Sequence, residues 1–345
     1  RILSKISNLF EHYRKEYQEY YNSCRHPNSP PIRDPNPIVI LYPGVGMFTF
    51  AKNKQTARVA SEFYSNAIHV MRGAEAVSKY TSLPRQEAFD IEYWLLEEAK
   101  LQRLPKEKPL SRKVALITGS GGGIGRAIGD KLISEGATVV FTDISEQYLE
   151  EATRQYSSDQ AIGCHCDVTN SESIAAAIQK ACLHFGGLDF VVHSAGLAIS
   201  KSLADTTEAE WDLLQNVLVK GQFLMSKAVS YVMKKQHLGG NIINIASKNG
   251  LVSGPNNAGY GTAKAGQIHL SRLLASELAP HQIRVNTVNP DGVILGSKIW
   301  EGDWAEERAK VYGIDVKALP EFYAKRNLLN QIIRPEDIAN AVFAF

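Results

Sequence analysis

The stretch Val114-Ala-Leu-Ile-Thr118-Gly119-Ser-Gly-Gly-Gly123-Ile124-Gly125 decides how the second two thirds of the chain folds. An apolar, β-branched run forms a short strand, and the glycines lead into a helix with Ile128 and Leu132 on one face. Glycines permit a tight turn and let backbone N–H groups approach a pyrophosphate at a helix N-terminus. The stretch therefore predicts a dinucleotide-binding turn in which the cofactor contacts are Gly119, Gly123, Ile124 and Gly125.

Apolar segments that alternate with helical patterns follow this turn. Strands are predicted near 113–118, 138–143, 161–167, 188–194, 240–246 and 283–289. Alternating strands and helices are typical of a parallel sheet covered on both faces. The sequence therefore predicts an α/β fold with a Rossmann-like, doubly wound parallel sheet, whose seventh strand is expected after Phe345.

Asp143 ends the second strand of this pattern, Thr138-Val-Val-Phe-Thr-Asp143. A carboxylate at this place binds a ribose 2′-hydroxyl and repels a 2′-phosphate. The alternative is that Asp143 caps a helix predicted over 145–156. Because neither Ser120 nor Ile144 is basic, the sequence favours NAD over NADP as the cofactor.

Tyr260 and Lys264 stand four residues apart in Tyr260-Gly-Thr-Ala-Lys264, so they share one face of a helix. A nearby cation favours phenolate, and we expect it to lower the pKa of Tyr260 from about 10 toward working pH. A phenol so tuned is a general acid/base. Ordinary solvated helices also contain this spacing, but Ser247 lies upstream at the end of an apolar run.

Taken in order, these motifs resemble the short-chain dehydrogenase/reductase family. The matching segments are TGSGGGIG (118–125), Asp167-Val168, HSAG (193–196), Ser247 and Tyr260-x-x-x-Lys264. The resemblance covers about 109–345. It implies that Tyr260 exchanges a proton, that Lys264 binds the nicotinamide ribose and lowers the pKa of Tyr260, and that Ser247 holds the substrate oxygen.

The same resemblance implies further cofactor contacts and an assembly. Asp167 and Val168 are expected at the adenine, Ala195 and Gly196 beneath the nicotinamide ribose, and Pro290 beside the cofactor. Helices over 207–235 and 258–279 are expected to pair with a second subunit, which implies a homo-oligomer, either a dimer or a tetramer.

Two positions depart from the family pattern. Leu218 stands where the family usually has an Asn that helps order a water relaying protons to the lysine, so this relay is in doubt. Asn216 lies on a different helical face and is a poor substitute. Asp291 interrupts the usual Pro-Gly pair after Pro290, and two roles stay open for it: a place near the nicotinamide carboxamide or a cap on the next segment.

A lid is expected over 293–330, including the run Ser297-Lys-Ile-Trp300. It is rich in aromatic and basic residues, namely Trp300, Trp304, Arg308, Tyr312, Tyr323 and Arg326. Such a lid suits a small polar substrate, and the same residues also serve plain packing between helix and sheet.

The first hundred residues have a different pattern. Helices are predicted over 1–22, 53–78 and 86–100, and a strand over 38–42. Strings beginning at Tyr42, Ala74 and Phe89 resemble the end of a class II aldolase domain, and the fusion is similar to bifunctional rhamnulose-1-phosphate aldolase/lactaldehyde (alcohol) dehydrogenase proteins. We predict an aldolase-like remnant over 1–104, a linker over 105–112 and a dehydrogenase domain over 113–345.

No metal site is expected in this chain. Class II aldolases hold zinc with several histidines, whereas His12, His26 and His69 are widely separated here. Cys164-His165-Cys166 has two thiols on one strand face, but without a second pair of ligands a buried core is favoured.

Composition excludes several classes of protein. A net charge of +2 with 21% charged residues gives no electrostatic argument for binding nucleic acid. The sequence contains no run of 18 apolar residues, so a membrane span is not expected. Four cysteines suit reduced thiols in the cytoplasm. Because the chain starts at Arg1 without a signal peptide and stops in mid-pattern, we expect a fragment of a longer protein.

These observations predict an NAD-dependent oxidoreductase acting on a small aldehyde or alcohol, with lactaldehyde in rhamnose catabolism as the candidate. Two alternatives stay open. One is a nucleotide-binding module without turnover, and the other is a dehydrogenase-like half that supports a zinc-dependent aldolase encoded upstream.

Overall fold

The computed structural model describes residues 2–297, 300 and 303–345. Within it the chain divides into two compact units, residues 1–107 and 108–345. The backbone N–H of Leu110 donates to the carbonyl of Glu135, so this residue packs with the second unit. The linker over 105–112 stays a prediction.

The first unit is mostly helical. Its elements are α1 (Ile2–Cys24), β1 (Val39–Tyr42), β2 (Gly46–Thr49), α2 (Lys54–Val77), α3 (Arg85–Glu92) and α4 (Leu95–Gln102). Strand β2 was not predicted; it pairs antiparallel with β1 through a turn at 43–45. The single helix predicted over 86–100 is two helices, because Trp94 has an extended backbone between α3 and α4.

An aromatic cluster forms the core of this unit. Tyr21, Phe89 and Tyr93 are buried, and the rings of Phe89 and Tyr93 stack with centroids 4.5 Å apart. The hydroxyl of Tyr21 donates to the carbonyl of Pro30. Burial of the apolar rings therefore ties α1 to α3 while this phenol keeps a hydrogen bond.

The second unit alternates strands and helices. Its elements are β3 (Val114–Thr118), α5 (Gly123–Ser134), β4 (Thr138–Asp143), α6 (Glu146–Thr153), β5 (Ala161–His165), α7 (Ser171–Phe185), β6 (Phe190–His193), α8 (Glu208–Leu214), α9 (Gly221–Gln236), β7 (Gly240–Ile245), α10 (Ala258–Leu278), β8 (Ile283–Val288), α11 (Asp303–Tyr312), α12 (Leu319–Ala324) and α13 (Pro335–Ala344). The six strands are parallel in the order β5-β4-β3-β6-β7-β8, which confirms the doubly wound sheet.

Each face of the sheet has its own core. Leu116 and Val191 face a cluster shared with α7 and α9, whereas Ile117 and Val192 face a cluster shared with α5 and α13. Successive strand residues point to opposite faces, so a strand covered on both sides must be apolar throughout. The order of the strands reverses between β3 and β6, and this reversal opens a crevice at their carboxyl ends.

The helix predicted over 207–235 is interrupted. A π-helical turn, Gln215–Lys220, joins α8 to α9, and the N–H of Gly221 donates to the carbonyl of Asn216, five residues back. A π-turn inserts one residue into an α-helix, and such turns are frequent at functional sites. Among the described helices, none combines the length and the apolar character that crossing a membrane requires.

We expect Gly119→Ala to lower the free energy of unfolding by about 2 kcal/mol or more. Gly119 has φ +62°, and a Cβ there would lie 2.5 Å from the Cα of Ala195. Gly254→Ala is the matched control, because a Cβ at that position meets nothing within 4 Å. Denaturant unfolding measures both variants, and equal losses would contradict the steric explanation.

Candidate active site

A cavity of about 280 Å³ lies at the carboxyl ends of β3, β6 and β7. Its walls come from the glycine turn, the loops after these strands, the first turns of α10 and the segment after β8. Residues on its surface include Gly119, Gly123, Ile124, Gly125, Asp143, Gly196, Ser247, Tyr260, Lys264 and Pro290. Sequence positions from six separate segments therefore meet at the place where a doubly wound sheet binds its ligand.

Ser247, Tyr260 and Lys264 are all buried in the cavity wall. Ser247 follows β7, where its hydroxyl accepts a hydrogen bond from the N–H of Asn249 at 3.2 Å. Tyr260 lies in the first turn of α10, and the Nζ of Lys264 is 5.6 Å from the centre of its ring. Lys264 donates to the carbonyl of Ile245 at 3.0 Å, so β7 holds the ammonium in place.

The pKa of Tyr260 moves in the opposite direction from the prediction. Burial raises it to about 12, and the hydrogen bond with Ser247 opposes this rise without cancelling it. Burial also lowers the pKa of Lys264 to about 7. Desolvation favours the neutral form of each group and is the largest cause of both shifts. The prediction from spacing was therefore wrong in sign.

The glycine turn fits a dinucleotide. A Cβ on Gly119 would overlap the backbone of Ala195, and one on Gly125 would lie 2.5 Å from the carbonyl of Gly119. The turn is compact only because these side chains are absent, and it leaves the N-terminus of α5 facing the cavity. Backbone N–H groups at such a terminus suit a phosphate.

Asp143 anchors this turn. Its carboxylate accepts hydrogen bonds from the N–H of Gly121 at 2.9 Å and of Ser145 at 3.0 Å. The N-cap of α6 is Ser145, whose hydroxyl accepts from the N–H of Tyr148. Asp143 therefore organises the loop rather than capping α6, and its side chain also reaches the cavity wall.

Three predicted cofactor residues lie off the cavity surface. Asp167 accepts from the N–H and hydroxyl of Thr169, and Val168 is buried against Gly221. Ala195 donates its N–H to the hydroxyl of Thr118. These contacts shape the loops around the cavity, and the assigned cofactor roles stay predictions.

Leu218 is fully buried and belongs to one apolar cluster with Tyr260 and Trp304. A Cβ on Gly196 would lie 3.2 Å from Leu218 Cδ2 and 3.9 Å from Lys264 Nζ. The side chain that departs from the family pattern is therefore an apolar wall close to the Tyr260–Lys264 pair.

Asp291 joins the loop after β8 to two other segments. Its carboxylate is 3.5 Å from Lys248 Nζ and 3.5 Å from an Arg326 nitrogen. It also lines the cavity. Of the two roles predicted for Asp291, a place at the cavity agrees with this geometry. Its carboxylate forms ion pairs with Lys248 and Arg326 and, within the described residues, does not cap the next segment.

The lid contributes three aromatic side chains to the cavity, Trp300, Trp304 and Tyr323. The ring of Trp304 is 5.4 Å from that of Tyr260, and Trp300 is 5.3 Å from Tyr323. Lys298 and Ile299 of the predicted lid run lie outside the described residues. The aromatic residues pack together and line the cavity, and their role toward a small polar substrate stays a prediction.

Sequence reasoning missed several cavity residues. Asn249 and Leu197 line the cavity, and Tyr148 packs beneath the glycine turn, where it would clash with a Cβ on Gly121. Asn249 could have been found from its place two residues after Ser247. Leu197 and Tyr148 carry no comparable signal, because only the folded loops bring them to the site.

The cysteine segment is part of the core. Cys166 is buried, and burial raises its pKa to about 12, which disfavours the thiolate that a metal requires. Within the described residues, no group of three or more His, Cys, Asp or Glu side chains is placed to hold a metal ion.

Comparison with known proteins identifies the family. The model of the short chain dehydrogenase family matches residues 113–304. The chain belongs to the short-chain dehydrogenase family. A second model, aldolase class II, second domain, matches residues 1–101, which confirms the fusion predicted from the sequence. Residues 113–304 thus belong to a family of oxidoreductases that bind nicotinamide cofactors.

A relative and two solved structures illustrate the likeness. The uncharacterized oxidoreductase YuxG of Bacillus subtilis (strain 168) is 39% identical over the whole chain, which spans only 50% of YuxG. NAD+-bound xylitol dehydrogenase is 31% identical, with a TM-score of 0.63 over 68% of this chain and 92% of its own. Actinorhodin polyketide ketoreductase with NADPH is 25% identical, with a TM-score of 0.63 over 67% and 89%.

We expect His193 to make the fold sensitive to acid. Burial, aided by the charge of Lys264, lowers its pKa from 6.5 to about 3. Between these two pH values the unfolded chain binds more protons than the native one. The free energy of unfolding therefore falls as pH falls through this window, by at most about 1.4 kcal/mol per pH unit from this group.

Denaturant unfolding at several pH values checks this expectation. His193→Asn should flatten the slope between pH 3 and 6.5, while His269→Asn, at an exposed position, should leave it unchanged. An unaltered slope in His193→Asn would show that the histidine does not carry the effect.

Proposed function

We propose that this protein is an NAD-dependent dehydrogenase acting on a small aldehyde or alcohol. The observation that carries the proposal is the meeting of Ser247, Tyr260 and Lys264 on the same cavity as the glycine turn. A phenol, a hydroxyl and an amine so placed form an acid/base site next to a phosphate cradle. A bound nicotinamide cofactor supplies or accepts the hydride there.

Each of the three side chains has a separate role. The Tyr260 hydroxyl exchanges a proton with the substrate oxygen, and Ser247 donates a hydrogen bond to that oxygen. Lys264, held by the carbonyl of Ile245, binds the cofactor ribose and supplies the positive charge that stabilises phenolate. Its pKa near 7 means that small changes in its surroundings change its charge at neutral pH.

The choice of NAD rests on Asp143. Its carboxylate faces the cavity at the end of β4, while the next residue, Ile144, is exposed and uncharged. A 2′-phosphate next to this carboxylate would be repelled, whereas a 2′-hydroxyl can donate to it. The NAD+-bound neighbour supports this choice, although the ketoreductase with NADPH has a comparable fold.

The substrate proposal rests on the size and chemistry of the cavity. Beyond Ser247 and Tyr260 the wall has Asn249 and Asp291, which can bind hydroxyls, and two tryptophans that exclude water. Small hydroxyaldehydes and short polyols match this lining, and the likeness to xylitol dehydrogenase supports the latter. The aldolase-like segment favours lactaldehyde in rhamnose catabolism, because retro-aldol cleavage produces a small hydroxyaldehyde.

Further parts of the proposal concern the cellular setting. Exposed Phe223 and Tyr231 on α9 support a homo-oligomer, and free cysteines support the cytoplasm. The chain spans half of YuxG. We propose aldolase activity only for a longer protein that contains this chain.

A second candidate is a nucleotide-binding module without turnover. Leu218 favours it, because the family's usual side-chain amide is missing beside Lys264. The two candidates differ in whether the phenol of Tyr260 is needed for chemistry, and this difference can be tested directly.

We expect the protein to transfer hydride between NAD and short hydroxyaldehydes or alcohols. The absorbance of the reduced cofactor measures this transfer. Tyr260→Phe should lower kcat by roughly 10²-fold or more while cofactor binding persists, because only the proton exchange is lost. Tyr80→Phe, whose phenol is exposed in the first unit and off the cavity lining, is the matched control. Equal behaviour of wild type and Tyr260→Phe across the panel, with intact NAD binding, would favour the module without turnover.

Asp143→Asn should shift the cofactor preference toward NADP. Removing the negative charge relieves the repulsion of a 2′-phosphate, and the remaining carbonyl still accepts from Gly121. We expect the ratio of kcat/KM for NAD over NADP to fall about tenfold or more, which corresponds to about 1.4 kcal/mol. An unchanged ratio would remove Asp143 from cofactor selection.

A further inference from the structure

The π-helical turn Gln215–Lys220 is held from outside by a side chain of α10. The Nε2 of Gln267 donates to the carbonyl of Leu218 at 2.9 Å, and both residues are fully buried. A π-turn is less favourable than α-helix, so an external hydrogen bond to its backbone helps to select it. Gln267 lies one turn after Lys264, on the same buried face of α10.

The main chain of Gln267 belongs to a buried polar network. Its main-chain carbonyl accepts from the Gln222 side chain at 3.2 Å and from the Ser271 hydroxyl at 2.7 Å. Ser271 also accepts from Gln222 and from Asn244, each at 3.0 Å. These contacts join α9, α10 and β7 in the interior, although the amide oxygens of Gln222, Asn244 and Gln267 are buried without a hydrogen-bond partner.

The π-turn determines where the Leu218 side chain lies. It packs with Tyr260 and Trp304, and it reaches within 3.2 Å of where a Cβ on Gly196 would be. Relaxation of the turn to α-helix would shift the register by one residue, a rotation of about 100° around the axis. That rotation would take Leu218 away from the Tyr260–Lys264 pair and open a path for water.

We propose that Gln267 is a positioning residue for the active site: through the Leu218 carbonyl it holds the π-turn and keeps the Leu218 side chain as a dry wall behind Tyr260 and Lys264. This role rests on the proposed function, because it assigns Gln267 to the same catalytic pair. Position 218 then contributes through its main-chain carbonyl and its apolar side chain.

The pKa of Lys264 reports directly on whether the Leu218 side chain keeps water away from the lysine. The titratable groups facing it are Tyr260 on its own helix and His193 on β6. Burial is the cause that lowers the pKa of Lys264 to about 7. Water admitted by a displaced Leu218 would reduce desolvation, so the lysine pKa would move upward.

The test is an NMR titration of the full chain labelled with [13Cε]lysine, with the Lys264 signal identified from Lys264→Met. We expect Gln267→Met to raise the pKa of Lys264 by about one unit. Gln222→Met is the matched control, because it damages the same network but leaves the bond from Gln267 to Leu218. Equal titrations of Lys264 in the two variants would overturn the proposal.

A double-mutant cycle tests whether Gln267 acts through Leu218. Leu218→Ala should raise the lysine pKa by itself, and Gln267→Met should add nothing in that background. Additive shifts would refute the route through Leu218. If Gln267→Met does not fold, the titration of Lys264 in Leu218→Ala decides. An unchanged pKa of Lys264 in Leu218→Ala would then refute the dry wall formed by the Leu218 side chain.

Turnover separates this proposal from the proposed function. Where wild type is active, Gln267→Met should lower kcat roughly tenfold or more and displace its pH profile upward, with Gln222→Met close to wild type. Absence of turnover on every substrate would refute the dehydrogenase, while the lysine titration would still decide the role of Gln267.

Discussion

The hydrogen bond from Lys264 to the carbonyl of Ile245 is the interaction on which the site depends. Ile245 ends β7 and Lys264 lies in α10. This contact therefore ties the helix that carries Tyr260 to the carboxyl end of β7. The ammonium is buried, and removing a charge from water is costly unless it is paired. The pKa near 7 expresses that cost. The site thus contains a lysine and a tyrosine that burial biases toward their neutral forms, in surroundings where a nearby charge acts strongly.

The doubly wound sheet makes this arrangement possible. Its strand order reverses between β3 and β6, so loops from both halves of the sheet diverge and leave a crevice. The glycine turn after β3 forms one wall and Ser247 after β7 forms another. Tight contacts reinforce the crevice: Gly119 has no room for a Cβ against Ala195, and Asp143 fixes the turn through Gly121. The glycine turn and the Tyr260–Lys264 pair therefore lie together at the carboxyl ends of the strands.

Sequence patterns predicted the sheet and the meeting of Ser247, Tyr260 and Lys264 at one site, but not the electrostatics of these side chains. Strands β3 to β8 are short apolar runs, and such runs are visible without a structure. The π-turn could not be found that way, because a one-residue insertion blurs helical periodicity without ending it. Its support, the bond from Gln267 to Leu218, joins positions far apart in the sequence. The pKa of Tyr260 was predicted with the wrong sign because spacing reveals the neighbouring cation and not the depth of burial.

Leu218 illustrates how a departure from a family pattern can be compensated in three dimensions. An amide side chain at this position would place a polar group within an apolar cluster that contains Tyr260 and Trp304. Leucine completes the cluster instead, and Gln267 supplies the hydrogen bond to the backbone from the other side. Lys264 then donates a hydrogen bond to the carbonyl of Ile245 and lines the cavity. On the side of Leu218 an apolar side chain excludes water. Proton exchange of the Tyr260–Lys264 pair with solvent must consequently pass through the cavity, whose wall includes Trp300 and Trp304.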